Sequence, residues 1–427
     1  MYGRSRIKLS VIINNLIIIC TFVMMGYFRI FPFGAKGEIK IHLIVVVLGV
    51  IMAFIITVYR KKNSNVYGNR AFYMYLTGYI LIMLYSSLYT FFCYKYTFRE
   101  IIIALDPFLY IIFAVPLIYL FYYEQGFEAL FKKIIFLELI MLMIKSMAWY
   151  SYNFIDIDIF HNILFQYGIW QRDGFQRIDT GLFFGISTVI LVYKAAKCNI
   201  KDRVIYLTIL ALLFAYLLFV TRARYQIITF IITVAVEMYY LLKPRSKVFY
   251  WLLILGLILI AMIGGHFFDV VLSFSTKNVN YGKSTMSRLL TIGHYWQYIV
   301  DRKAVFGLGM LNSNNIQAYA IMERAESVAK FYHLTDIGIL GGFVRFGILA
   351  IWIYGIFYYE LINVCYKYKK RKYKDMPVLA GIAVWLILWG VSNNFLDSSR
   401  AFEFPFYLAI ISYYSGKLKG INKNESL

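Results

Sequence analysis

The sequence predicts an all-α, polytopic integral membrane protein with about twelve transmembrane helices. Three observations predict it. Hydrophobic residues make up 61% of the 427 residues, and charged residues only 15%, where soluble chains carry about 25% charge. Runs of about 20 apolar residues recur along the chain, the length a helix needs to cross about 30 Å of hydrocarbon. Aromatic residues reach 19%, with many Tyr and Trp near span ends, where their amphipathic rings favour the membrane interface.

The basic N-terminal stretch Met1 to Lys8 precedes an apolar run with no small-residue cleavage site, so a signal anchor is expected. Spans are expected near 11–31, 41–59, 71–94, 101–123, 134–152, 181–196, 204–220, 225–242, 248–268, 336–364, 378–396 and 403–415. With the N-terminal tail inside, the alternate connections become inner loops. These carry Arg60-Lys61-Lys62 with Arg70, Lys132-Lys133, Lys194 to Arg203, Lys243 to Lys247 and Lys367 to Lys374, and the tail carries Lys417, Lys419 and Lys423. All are basic, as the positive-inside rule requires, so twelve spans put both termini in the cytoplasm. This pattern accounts for the net charge of +22 without a nucleic-acid partner. The four cysteines, Cys20, Cys93, Cys198 and Cys365, show no paired spacing and define neither a disulfide framework nor a zinc site.

The whole chain, 1–427, reads as a single transmembrane domain with two long outer loops, 153–180 and 269–335. Loops of this length in a compact protein are usually functional or disordered. In the longer one, Leu289, Ile292, Trp296 and Ile299 fall on one helical face, predicting a helix on the membrane or against the bundle. A second helix is expected to start near Asn314 or Asn315 and to run through Arg324. No domain-scale repeat is present, which weighs against transporters built from two related halves.

Four outward stretches carry candidate chemistry. Thr221-Arg222-Ala223-Arg224-Tyr225 forms the whole connection between two spans and sets two guanidiniums at headgroup level. Guanidinium forks match phosphate oxygens, while interfacial anchoring is the plainer reading. Arg172 to Gly181 adds Arg172 and Arg177, as ligands or as partners of Asp173 and Asp179 in a loop salt bridge. Ser287-Arg288 precedes the amphipathic helix and then Gly307-Leu308-Gly309, where glycines permit close backbone approach. Last, His333-Leu334-Thr335-Asp336 leads into Gly338, Gly341, Gly342 and Arg345. His333 and Asp336 suit general-base or orienting roles. On a continuous helix Gly338 and Gly342 form a small-residue packing stripe, and Arg345 lies about 13 Å below Asp336. Such a membrane charge is costly and marks a functional site by default, with a structural ion pair as the alternative. Asp106 and Lys145 fall at similar depth, which allows a buried ion pair. Asp156-Ile157-Asp158 allows a divalent cation, and Arg400 adds a cation to the last outer loop.

In order, spacing and sidedness, these stretches resemble the bacterial O-antigen polymerase and ligase superfamily. Thr221 to Tyr225 resembles its Ser-Arg element between central spans, although Tyr225 stands where the family has Gly. Ser287-Arg288 through Phe306-Gly307-Leu308-Gly309 resembles its Ser-Arg, helix and Gly-x-Gly element. His333 to Gly342 resembles its His-containing segment that re-enters the membrane. The resemblance covers the second half of the chain. It implies a GT-C-like helical bundle with a large helical extracytoplasmic loop, in the bacterial inner membrane. It also implies a glycosyltransferase that polymerises polyprenyl-diphosphate-linked repeat units. Implied partners are the lipid-linked glycan donor and acceptor, membrane lipids and a chain-length regulator protein. Arg222, Arg224, Arg288 and Arg345, with Arg172, Arg177 and Arg400, would face the diphosphates, and His333 or Asp336 the acceptor hydroxyl. Arginines there would stabilise charge building on the leaving diphosphate. No dense outer carboxylate cluster calls for a metal, and no cofactor is implied. A ligase shares every motif; the slight preference for a polymerase rests on Asp336 following His333. A flippase or other transporter is the main alternative of another class, disfavoured by the long outer loop and the sparse midplane charges. A non-catalytic structural partner is disfavoured by the outward arginines.

Overall fold

The computed structural model describes residues 9–31, 38–62, 70–123, 126–166, 168–172, 174–242, 256, 282–323, 332–396 and 400–424. The fold is all-helical, apart from a short antiparallel hairpin in which Gln171–Arg172 pairs with Phe175–Gln176. Four helical segments among the described residues are long and apolar enough to cross a membrane: Glu38–Tyr59, Arg70–Tyr94, Phe98–Tyr123 and Ile200–Thr221. They coincide with the spans expected near 41–59, 71–94, 101–123 and 204–220. Shorter apolar helices, Leu9–Met24 and Met376–Val391, fall on two further expected spans. The spans expected near 134–152, 181–196, 225–242 and 403–415 lie on helices Glu128–Ile155, Phe184–Lys197, Arg224–Leu241 and Phe404–Asn424. The one expected near 248–268 lies outside the described residues.

Local chemistry sets several boundaries. Thr97 and Glu100 form a reciprocal capping box at the start of Phe98–Leu109, with Thr97 N donating to Glu100 Oε2 at 2.7 Å. Pro116 has no N–H to give to the carbonyl four residues back, and the chain tightens into a 3-10 turn at Tyr110–Phe113. Ile200–Ala215 is capped by Asn199, whose side chain accepts from Asp202 N at 2.9 Å. It ends in a π-helical turn, Tyr216–Thr221, closed by Arg222 N donating to Leu217 O at 2.9 Å.

Arg224–Leu241 lies along Met376–Ser392, and Phe404–Asn424 lies against Ala114–Tyr123. Stacked and edge-to-face aromatics fill the centre; Phe183 meets Phe406 at 4.7 Å and Phe113 meets Phe402 at 5.0 Å. Phe54, Leu81 and Phe92 sit on outer helix faces at 68%, 60% and 72% exposure, an apolar exterior suited to lipid.

One expectation is corrected in its central feature. The span expected over 336–364 is not a single helix. Ile339–Leu349 and Ile351–Lys370 meet at 115°. The chain enters through a 3-10 turn, Leu334–Ile337, and Gly338 at φ +58°. It breaks at Gly347, φ +53°, and resumes through a π-helical turn, Ile351–Gly355. Arg345 therefore does not descend a continuous helix from Asp336, and the 13 Å depth reckoned from helical rise does not apply. Nor do the glycines form one packing stripe. A Cβ on Gly338 would meet Gly390 O at 2.2 Å, one on Gly341 would meet Leu334 O at 2.2 Å, and one on Gly342 would meet the Tyr354 ring at 2.3 Å.

The large loop packs into a second, smaller core, built on its Tyr295, Leu308, Ile321 and Leu334 together with Tyr94 at the end of Arg70–Tyr94. Its amphipathic helix, Gly282–Asp301, is present, but its packed face differs from the one expected. Thr291 and Tyr295 are buried, with Ile292 and Ile299 partly so, while Leu289 and Trp296 are 52% and 66% exposed. Tyr295 turns inward because its hydroxyl finds an acceptor, Tyr332 O, at 2.9 Å. Asn315 caps Ile316–Met322 as expected, accepting from Gln317 N at 3.0 Å and Ala318 N at 3.2 Å. That helix stops at Met322; Arg324 lies outside the described residues.

Candidate functional site

The connections expected to face outward cross-link at one end of the bundle. Asn162 Nδ2 donates to Phe31 O at 3.0 Å, Tyr94 Oη to Leu308 O at 2.8 Å, Met310 N to Thr90 Oγ1 at 2.9 Å, and Arg400 to Thr180 Oγ1 at 2.6 Å. These contacts bring the sequence-predicted residues into three neighbourhoods.

The first is built on Arg345. The loop segment Val305 to Gly309 lies against the chain around Arg345 through main-chain bonds. Leu308 N donates to Val344 O at 2.8 Å, Gly309 N to Arg345 O at 2.9 Å, and Ile348 N to Val305 O at 2.9 Å. Only glycine tolerates this approach. Gly307 has φ +83°, and a Cβ there would lie 2.3 Å from Arg345 O; one on Gly347 would lie 2.0 Å from Val305 O. The Gly-x-Gly element thus fixes the backbone that carries Arg345. The guanidinium is half-buried, 5.8 Å from the centre of the Phe108 ring, and within electrostatic range of the Tyr295 hydroxyl. Tyr295 in turn holds Tyr332, next to His333. His333 and Asp336 are both exposed, joined through their main chain by Asp336 N donating to His333 O at 3.2 Å.

Arg345 lines a cleft of 880 Å³ with Glu38, Lys40, His42, Arg99 and Asp106. The same helices that carry most of these polar groups supply apolar lining, with Ile39 and Leu43 on one and Ile102 and Ile103 on the other. The volume is within the range of small-molecule sites. The cleft therefore offers three cations, Lys40, Arg99 and Arg345, and two carboxylates already partnered, Glu38 by Arg29 and Asp106 by His42, beside an apolar trough; the excess of cations is a complement to a ligand with an anionic head and a hydrocarbon tail. His42 Nδ1 lies 3.1 Å from Asp106 Oδ2, and His42 Nε2 lies 3.8 Å from Glu38 Oε1, which is itself ion-paired with Arg29. The sequence reading missed the His42–Asp106 pair. The available signal was Glu38 and His42 one turn apart at the start of an apolar span, together with Asp106 inside another.

The second neighbourhood is the 221–225 connection. Arg222 sits at φ +50°. It exchanges guanidinium-to-carbonyl bonds with Arg172: Arg172 donates to Arg222 O at 2.5 Å and Arg222 to Arg172 O at 3.3 Å. Arg222 also stacks on Phe175 at 4.0 Å, and Arg177 stacks on Trp170 at 3.8 Å. Tyr225 donates its hydroxyl to Leu388 O, and Arg288 lies within electrostatic range of that hydroxyl. Arg224 is half-buried alongside. The 221–225 connection and Ser287-Arg288 of the large loop are thereby neighbours.

The third neighbourhood corrects two expectations. Lys145 does not pair with Asp106. Its ammonium lies 3.1 Å from Asp179 Oδ1 and donates to Asp179 O at 3.1 Å, while Asp106 faces His42. Equal depth brought Lys145 and Asp106 no closer, because the Asp179 loop folds back over Lys145. Nor do Arg172 and Arg177 pair with Asp179, which belongs to the Lys145 cluster; Asp173 lies outside the described residues. Arg400 is buried, bonded to Glu403 Oε1 at 3.3 Å and to Thr180, 4.0 Å from Asp179 Oδ2 and 4.2 Å from the Trp389 ring. Its guanidinium is committed to protein groups. Burial works against the Asp179 charge, but Lys145, Arg400, the hydrogen bond from Lys145 and Arg29 together hold its carboxyl below the usual carboxylate range.

In the Asp156-Ile157-Asp158 stretch, Asp156 ends its helix at φ +58° and Asp158 Oδ2 lies 2.5 Å from His161 Nδ1. Among the described residues no group of three or more His, Cys, Asp or Glu is arranged to hold a metal ion.

No protein-family model matches the chain, and no curated protein matches it.

Proposed function

We propose that this protein is a twelve-span membrane glycosyltransferase of the O-antigen polymerase type, with both termini in the cytoplasm. It joins polyprenyl-diphosphate-linked repeat units into a polysaccharide at the outer face of the bacterial inner membrane. The observation that carries this reading is the Arg345 cleft: three cations against two partnered carboxylates, beside an apolar trough, with Arg345 held by the Gly307–Gly309 backbone. A polyprenyl diphosphate has that chemistry, a dense anion on a hydrocarbon tail. Breaking the bond from sugar to diphosphate builds charge on the leaving oxygens, and a preorganised guanidinium stabilises it. Arg222, Arg224 and Arg288, with Arg172 and Arg177, supply a second cationic surface at the same end of the bundle, suited to a second lipid-linked substrate. His333 and Asp336 border the Arg345 neighbourhood through Tyr295 and Tyr332.

The test is glycan length. Arg345→Ala, Arg222→Ala, Arg288→Ala and His333→Ala are each expected to abolish long glycan while protein in the membrane stays constant. Normal chain length in all four would overturn the reading. In a deletion strain, single repeat units reaching the outer face support a missing polymerase, and units trapped inside support a missing flippase.

A further inference from the structure

We propose that the acceptor glycan occupies a second chamber that shares a wall with the Arg345 cleft, and that His42 on that wall takes the proton of the attacking hydroxyl. This rests on the glycosyltransferase reading. The second chamber has a volume of 210 Å³ and draws its polar lining from Arg29, Glu38, His42, Lys145, Gln166 and Asp179. Glu38 and His42 line both spaces. The two linings differ in charge balance. The cleft holds three cations against two carboxylates, Glu38 and Asp106, beside an apolar trough, whereas the chamber's charged groups pair among themselves, Arg29 with Glu38 and Lys145 with Asp179, the complement of a ligand rich in hydroxyls and without net charge. A polymerase needs both, a lipid diphosphate on one side of the reacting carbon and a sugar hydroxyl on the other.

His42 has the geometry for the wall between them. A carboxylate only accepts, so the 3.1 Å contact with Asp106 makes Nδ1 the donor and leaves Nε2 to accept a proton. Glu38 Oε1, 3.8 Å from Nε2, stabilises the imidazolium that results. This is the arrangement of a base oriented by one carboxylate and steadied by a second. In the step, the acceptor hydroxyl oxygen bonds to the anomeric carbon of the donor and its proton passes to His42 Nε2. The bond from that carbon to the diphosphate oxygen breaks, and its electron pair leaves on the diphosphate beside Arg345. His42 then returns its proton to water.

The experiment uses the full chain in lipid nanodiscs. Binding of polyprenyl diphosphate is measured separately from joining of lipid-linked single repeat units extracted from a deletion strain. Gln166→Leu and His42→Gln are expected to bind polyprenyl diphosphate within about twofold of the parent. His42→Gln is expected to lower the joining rate by about 10²-fold or more. Gln166→Leu is expected to raise the repeat-unit concentration for half-maximal rate with little change in the maximum. Arg345→Ala is expected to lose polyprenyl diphosphate binding. If Gln166→Leu and His42→Gln weaken that binding as much as Arg345→Ala does, the chamber belongs to the donor and the proposal fails. It fails too if both variants join repeat units at the parent rate. Parent-like binding and joining by Arg345→Ala would instead overturn the glycosyltransferase reading itself.

Discussion

Replacing Gly307 with alanine tests whether the large loop holds Arg345 in place. The new Cβ would fall 2.3 Å from Arg345 O and 2.5 Å from both Arg345 C and Gly347 N, all main-chain atoms that cannot rotate aside. The left-handed backbone at φ +83° costs a non-glycine residue about 1–2 kcal/mol. Relieving the clash adds about 1–3 kcal/mol. Parting the strands would break the bonds from Leu308 N and Gly309 N, each contributing about 1 kcal/mol. The chain therefore has a cheaper course, which is to shift the Arg345 backbone outward by about 1 Å, enough to lower turnover by about 10²-fold. The matched control is Gly293→Ala. Gly293 lies within the Gly282–Asp301 helix with open space at its Cβ, so alanine there is neutral or stabilising by about 0.5–1 kcal/mol. The assay is glycan length on gels, normalised to folded protein by size-exclusion chromatography. Gly307→Ala with parent-length glycan and parent thermal stability would refute the clamp.

Three further outcomes follow from the same geometry. Arg345→Lys is expected to fold normally yet lose most of its polymer, because a point charge does not replace a planar fork; equal chain length would count against a bidentate diphosphate contact. Lys145→Met is expected to destabilise by about 3–5 kcal/mol, since it leaves Asp179 with Arg400 at 4.0 Å as its nearest cation; an unchanged melting temperature in detergent would contradict the assignment. Asp179 has a folded pKa below its ordinary 3.8. Its contribution to stability is thus complete above that value and is lost as pH falls through the depressed one. A melting temperature that declines below about pH 3.8 in the parent and is flat there in Asp179→Asn is the expected signature.

The helices were legible because a long apolar helix advertises itself in composition; the four long and apolar enough to cross a membrane coincide with spans expected near 41–59, 71–94, 101–123 and 204–220. The break after Arg345 was not. Apolarity runs unbroken through Phe346, Ile348, Leu349 and Ile351, so a hydropathy window passes over Gly347, whose role lies in its positive φ and in the carbonyl pressed against it. The partner of Lys145 was misread for a related reason. Depth along a helix can be counted from sequence, but angle around the bundle cannot, nor can a loop that folds back over the charge, as Asp179 does. Arg345 and the Gly-x-Gly element were each visible separately, and only the fold joined them. His42 carries a local signal only in Glu38 one turn before it, which assigns it no role; its meaning comes from Asp106, 64 positions away.

The three main-chain bonds between the loop and the chain around Arg345 also bear on how anything reaches the cleft. A gate needs a flap that can lift away, and a flap that swings here would have to tear out its own main-chain ladder and bare several amides and carbonyls at once. The roof is therefore fixed, and traffic goes through the side. Ile39 and Phe98, on the two helices that wall the trough, are 48% and 76% exposed. On the glycosyltransferase reading, a long-tailed ligand would enter from the lipid between them, with only its head passing under the roof.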